Sequence, residues 1–173
     1  ACGSVGLAFF LGLLTFFDLL GHAPDQRALN PPSFVWFASG QSVVDFRLLV
    51  DPLSILMVLI VTGVGFLIHV YSLGYMWEDA GFPRFFTYMN LFIVAMLLLV
   101  TADNYLLLLV GWEGVGLCSY FLIAFWYQQN APAEAGVKAF VVNAIGDVGI
   151  LIAAFILLGL VGSVAYEDVF KHG

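Results

Sequence analysis

A chain of 173 residues that is 62% hydrophobic and 10% charged, with a mean hydropathy of +1.03, lies far from the soluble norm of about 45–50% apolar and about 25% charged residues. It reads as an integral membrane protein whose surroundings are the lipid bilayer. The net charge of −7 argues against a nucleic-acid partner, because binding phosphates needs a basic face.

Residues 3–20 are apolar except Asp18 and are long enough to span a hydrocarbon core of about 30 Å. No basic leader and no small-x-small cleavage site marks them as a signal peptide. The abrupt start without Met leads us to expect a preceding segment, and Asp18 suits a snorkelling or capping role. Residues 21–50 form a polar-leaning connection with Pro24, Asp25, Arg27, Asn30, Pro31, Pro32, Gly40 and Asp45. Pro31-Pro32 excludes a helix. Ser42 to Leu49 alternates loosely around Asp45 and Arg47, which predicts a short strand or hairpin on the membrane face. Phe34, Trp36 and Phe37 fit an interfacial aromatic belt.

Asp51-Pro52 opens the second span, 52–72, with Asp51 as cap and Pro52 in the first helical turn. Gly63 and Gly65 offer a close packing spot. Its one ionisable group, His69, lies near the far end. It is either a satisfied interfacial histidine or a member of a proton relay, since histidine titrates near neutrality. Residues 73–84 read as a loop and 85–102 as an uncharged third span. The turn at Asp103-Asn104 is so short that the third and fourth spans form an antiparallel hairpin.

The fourth span, 104–126, carries Glu113 nine residues in, roughly 14 Å deep and near the midplane. A carboxylate there costs about 2.5–3.5 kcal/mol. A partner, a water-filled pocket or a bound proton must offset that cost. Glu113 is either a packed, protonated carboxyl or a functional one. Gly111, Gly114 and Cys118 share a helical face that Gly116 and Ser119 extend, so a second helix packs closely here. Residues 127–135 read as a polar loop, and the fifth span is 135–161. Glu134 suits the helix dipole, and Lys138 is shallow enough to snorkel. Asp147 again lies near the middle. Asn143 and Asp147 share a face at i, i+4, whereas Lys138 and Asp147, nine residues apart, point to opposite sides. Asp147 is either bonded to a neighbouring helix or functional. Arg27 and Arg47 on one side against Arg84 and Lys138 on the other give no orientation. Residues 162–173 return to water. Cys2 and Cys118 make no disulfide framework or CxxC site, and no nucleotide or haem motif is present.

Several strings are familiar as they stand: Asp51-Pro52-Leu53-Ser54, Val61-Thr62-Gly63-Val64-Gly65-Phe66-Leu67-Ile68-His69, Arg84-Phe85-Phe86, Ala102-Asp103-Asn104, Gly111-Trp112-Glu113-Gly114-Val115-Gly116-Leu117-Cys118-Ser119-Tyr120, and Lys138-Ala139-Phe140-Val141-Val142-Asn143 with Gly146-Asp147. Over residues 3–165 the chain resembles the antiporter-like L-subunit family of respiratory complex I, the proton-pumping NADH:quinone oxidoreductase. The Gly111–Tyr120 string is highly specific for that subunit. Looser forms occur in its sister subunits and in multisubunit sodium/proton antiporters.

The resemblance implies an all-α polytopic bundle, the N-terminal part of a longer subunit in a bacterial plasma membrane or mitochondrial inner membrane. It implies Glu113, Asp147 and His69 in a proton path, supported by Lys138, Asn143, Ser119 and Tyr120. Glu113 matches a glutamate coupled to a lysine on a later helix that this chain does not reach, and Lys138 is not that lysine. Asp147 matches an acidic position that tunes the pair. Where Ala144 stands the family favours arginine, which puts the charge pairing of Asp147 in question. Coulomb coupling between such charges is roughly 4 kcal/mol at an effective dielectric of 20, enough to drive proton uptake and release. No cofactor is expected on this chain. FMN, iron–sulfur clusters and quinone are implied in partner subunits, and other membrane subunits of complex I are the implied partners. A sodium/proton antiporter subunit and a non-conducting membrane scaffold are the alternatives.

Overall fold

The computed structural model describes residues 1–23, 26–29, 31–39 and 42–172. Pro24, Asp25, Asn30 and Gly40 of the 21–50 connection lie outside the described residues. In chain order the elements are α1 (Cys2–Gly21), β1 (Phe34–Ser39), β2 (Ser42–Phe46), α2 (Pro52–Tyr75), α3 (Phe82–Val100), α4 (Tyr105–Ile123), α5 (Asn130–Val161) and α6 (Tyr166–His172). The first five helices are 19 to 32 residues long and apolar enough to cross a membrane, about 29 to 48 Å each. The expected fold class, an all-α bundle of about five spans with a small hairpin, is the one observed.

The boundaries differ from expectation where helix ends have local chemistry. α2 begins as expected. The Asp51 side chain accepts from Ser54 N at 2.7 Å and the Ser54 hydroxyl accepts from Asp51 N at 2.7 Å, a reciprocal cap worth about 1 kcal/mol. It then runs on to Tyr75, past the expected end at 72. α3 starts at Phe82, ahead of 85, with Pro83 in its first turn. α4 stops at Ile123, short of 126. α5 starts at Asn130, ahead of 135, so most of the expected polar loop is helix. Pro132 does not prevent this, because proline lacks a backbone N–H and in the first turn that N–H would have had no intrahelical acceptor. Glu134 therefore stands beyond the first turn of α5, not in it. α5 ends at Val161 and is capped by Gly162, whose φ of 78° is the left-handed conformation that glycine adopts without a Cβ penalty. The short α6 was not expected.

The hairpin pairs β1 with β2 antiparallel. Phe34 stacks on Phe46 at 5.1 Å between ring centroids, and Trp36 meets the same ring edge-on at 6.5 Å. Each long helix packs on the next, α1 on α2 through to α4 on α5. The tightest crossing is that of α3 and α4. A Cβ on Gly111 would lie 2.6 Å from the Leu99 backbone nitrogen, so only glycine lets the two backbones approach this closely. Gly63 and Gly65 make the same allowance toward Phe9 of α1 and Ile93 of α3. Large apolar side chains such as Leu67, Ile145 and Leu160 face outward, as in a bundle dissolved in lipid or in further helices.

One end of the bundle is organised by the α3–α4 turn. Asp103 is buried and forms an ion pair with Arg47, the residue just after β2. Asn104 caps α4 through Leu107 N at 2.8 Å and donates from Nδ2 to Asp45 O at 3.0 Å. On the other side, Tyr166 N donates to Asp103 O and Tyr105 N to Val164 O, each at 3.1 Å. The turn is thus gripped between the hairpin exit and the start of α6. Burial, and then the nearby Tyr105 and Asp103, push the Tyr166 phenol up to about 12. An unfolded tyrosine titrates near 10. The folded value is the higher one, so the stabilisation is whole below pH 10 and lost between about pH 10 and 12. The expected result is late phenolate absorbance near pH 12 that Tyr166→Phe removes, together with loss of the α6 contact over the same window.

Candidate functional site

Two carboxyl groups that the sequence places at the middle of different helices come together in the structure. Glu113 is the ninth residue of the 19-residue α4, and Asp147 the eighteenth of the 32-residue α5. α4 and α5 pack on each other, and the two side chains stand close enough across that contact for their charges to interact. Asp147 is buried, at 6% exposure, and faces α4. Its Oδ1 accepts a hydrogen bond from Trp112 Nε1 at 2.8 Å. Glu113 lies at the open side of the pair and is exposed.

Trp112 was not anticipated. The signal was available: an indole N–H at mid-span needs an acceptor, because lipid offers none. The rotation of α4 against α5 was needed to identify the acceptor as Asp147. The other candidates fall into two groups. Asn143 lies on the face of α5 turned to α4, where its Nδ2 would be 3.7 Å from a Cβ on Gly116. Tyr120 packs on Phe140 of α5 at 5.6 Å, and Ser119 is half-buried on α4. Asn143 and Tyr120 line the same seam as the carboxyl pair. Lys138 is exposed and makes no ion pair among the described residues, consistent with its pointing away from Asp147.

His69 stands apart. It sits on α2, whose neighbours are α1 and α3. It is fully buried, its Nδ1 donates to Gly65 O at 2.7 Å, and its ring tilts against Phe86. A carbonyl only accepts, so Nδ1 carries a proton. The buried Nε2 has no hydrogen-bond partner among the described residues. Among the described residues no group of three His, Cys, Asp or Glu stands close enough to hold a metal ion.

Comparison with known proteins bears on this arrangement. Residues 36–86 match the family described as NADH-ubiquinone oxidoreductase (complex I), chain 5 N-terminus, and residues 102–172 match NADH:quinone oxidoreductase/Mrp antiporter, TM. The NADH-quinone oxidoreductase subunit L of Mycobacterium tuberculosis H37Rv is 48% identical over 169 residues, which is 98% of this chain and 27% of that protein. The Escherichia coli K12 subunit L is 44% identical over the same shares of each chain. The chain belongs to the antiporter-like subunit family of complex I.

A solved Mrp complex from Dietzia sp. DQ12-45-1b contains a chain of the same fold, with a TM-score of 0.78 and 29% identity, covering 95% of this chain and 17% of that one. The chain therefore spans about a quarter of the length of the complex I relatives it matches. The antiporter-type match takes in α4 and α5 with Glu113 and Asp147, and the chain 5 match takes in the hairpin and α2 with His69.

Proposed function

We propose that this chain is the proton-handling part of a membrane subunit of NADH:quinone oxidoreductase, in which Glu113 and Asp147 hold and release one proton between them. The observation that carries the reading is two carboxyls brought beside each other at mid-span, one of them fixed by Trp112. A hydrogen bond between two carboxyls requires a proton on one of them. Two carboxylates side by side in a poorly hydrated seam repel strongly, which favours one proton held between them. A cation approaching the open side, at Glu113, expels the shared proton, and its withdrawal restores it. The resemblance supplies that cation as a lysine on a helix of the longer subunit. Asn143 and Tyr120 offer polar groups along the α4–α5 seam through which a proton relay runs. His69, two helices away, serves a separate branch or none. FMN, iron–sulfur clusters and quinone belong to partner subunits, which supply the trigger.

Trp112→Phe keeps the ring and removes the N–H. A hydrogen bond to a charged acceptor is worth about 1.5–3 kcal/mol, so proton translocation is expected to fall by roughly tenfold with assembly unchanged, measured in vesicles holding the complex. Infrared difference spectra of the complex in turnover test the central claim. A carboxyl band that gains and loses its proton, and that vanishes in Glu113→Gln, is expected. A spectrum without such a band sinks the proposal and leaves a packed scaffold.

The second reading is a subunit of a multisubunit sodium/proton antiporter, favoured by the likeness to the Mrp chain. Purification separates the two: flavin and iron–sulfur subunits accompany a complex I subunit, and none accompanies the antiporter.

A further inference from the structure

At the end of the bundle away from the hairpin, two opposite charges line one cavity without touching. Asp79 lies in the α2–α3 turn and Arg84 in the first turn of α3. They share a cavity of about 400 Å3 with Gly81, Trp126, Gln128 and Gln129. No nitrogen of Arg84 comes within 4.0 Å of a carboxylate oxygen among the described residues. Each charge is held by its own scaffold. The Arg84 guanidinium lies between two aromatic faces, 4.7 Å from the centroid of Phe125 and 5.1 Å from that of Tyr127, and its Nη2 donates to Phe125 O at 3.1 Å. Its buried Nε has no hydrogen-bond partner among the described residues. Asp79 accepts from Gly81 N at 2.6 Å and from Trp126 Nε1 at 2.9 Å. These two donors, with Arg84 adding at longer range, hold its carboxyl below the usual carboxylate range.

A cavity with a fixed cation on one wall and a fixed anion on another does not suit a plain anion or a plain cation, since one wall repels each. It suits a dipolar group. A second cleft of about 180 Å3 opens from Arg84 along the α3–α4 groove, lined by Tyr88, Tyr120, Phe121 and Tyr127. Exposed Trp77, Trp126 and Tyr127 surround this end, the aromatic belt of a membrane–water interface. The depth is that of lipid headgroups, and the cleft runs from there toward the hydrocarbon.

We propose that this cavity binds the headgroup of a zwitterionic, primary-amine phospholipid, with phosphate on Arg84, ammonium on Asp79 and an acyl chain in the α3–α4 cleft. Gln128 and Gln129 add amide donors for the phosphate oxygens. The ammonium donates to lone pairs of Asp79 that Trp126 and Gly81 leave free. The site is independent of the proton-handling pair, so its test does not depend on pumping.

The test is lipid retention by the purified complex carrying this chain, measured by native mass spectrometry after exchange into vesicles of equal phosphatidylethanolamine and phosphatidylglycerol. The wild type is expected to keep one phosphatidylethanolamine that Arg84→Gln and Asp79→Asn each reduce at least fivefold. Asp79→Asn, a near-isosteric change at a surface turn, decides the matter if Arg84→Gln fails to assemble. Retention unchanged in Asp79→Asn, or phosphatidylglycerol kept equally well by the wild type, overturns the proposal. Displacement of the lipid by soluble phosphoethanolamine at equal concentration shows a soluble ligand and overturns the lipid assignment. Displacement by inorganic phosphate alone shows a simple anion site and overturns it as well.

Discussion

Glu113→Gln in the full complex is expected to cut proton translocation by roughly 100-fold while leaving the helix bundle and subunit assembly intact. Glutamine matches glutamate in shape and keeps a hydrogen-bonding end group beside Asp147. It is also less costly at mid-span, so folding does not suffer. What it cannot do is take up and release a proton, and losing a positioned proton carrier typically costs 10²–10⁴-fold. Translocation is read as the pH change in vesicles driven by NADH oxidation. Asp147→Asn is expected to do less, because Trp112 still has an acceptor in the amide oxygen and Glu113 still titrates. Pumping unaffected by Glu113→Gln identifies a carboxyl that only packs, the scaffold alternative.

Gly111→Ala is expected to destabilise the α3–α4 pair by about 1–3 kcal/mol, the usual cost of overpacking a filled contact. Gly111→Val costs more and is expected to prevent assembly. The new Cβ would meet the Leu99 backbone at 2.6 Å, and backbone has no rotamer with which to move away. Separating the helices would also shift α4 against α5, and with it the Trp112–Asp147 hydrogen bond. The control is Gly116→Ala on the same helix. Its Cβ meets only Asn143 Nδ2, at 3.7 Å, an ordinary contact. Removing a helix-interior glycine favours the helix by about 0.8–1 kcal/mol, so Gly116→Ala should be neutral or stabilising. Thermal unfolding of the complex in detergent compares the two alanine variants, and the yield of assembled complex reads Gly111→Val. Equal stability of Gly111→Ala and Gly116→Ala contradicts the tight crossing.

The sequence by itself determined the parts of this protein that a bilayer imposes. In lipid every backbone polar group must be satisfied within the segment, so apolar runs of spanning length fold as helices. The five spans, the hairpin after Pro31-Pro32 and the Asp51 cap were legible for that reason. So was the mid-span depth of Glu113 and Asp147, which follows from counting along a helix. Helix ends were less legible, because Pro83 and Pro132 sit in first turns where they are tolerated, though proline elsewhere breaks a helix.

Only the tertiary structure decided which side chains meet. The sequence left the pairing of Asp103 with Arg47 and the bond from Asn104 to Asp45 unread, since in each the partners are more than 50 residues apart. Nor does spacing reveal that Trp112 reaches Asp147, that His69 belongs to the α1–α3 side, or that Asp79 and Arg84 line one cavity without pairing. Depth along a helix is a local property. The rotation of one helix against another depends on how closely their backbones approach, and here small residues such as Gly111 set that distance. A chemistry that needs two groups on different helices therefore exists only once the bundle has packed.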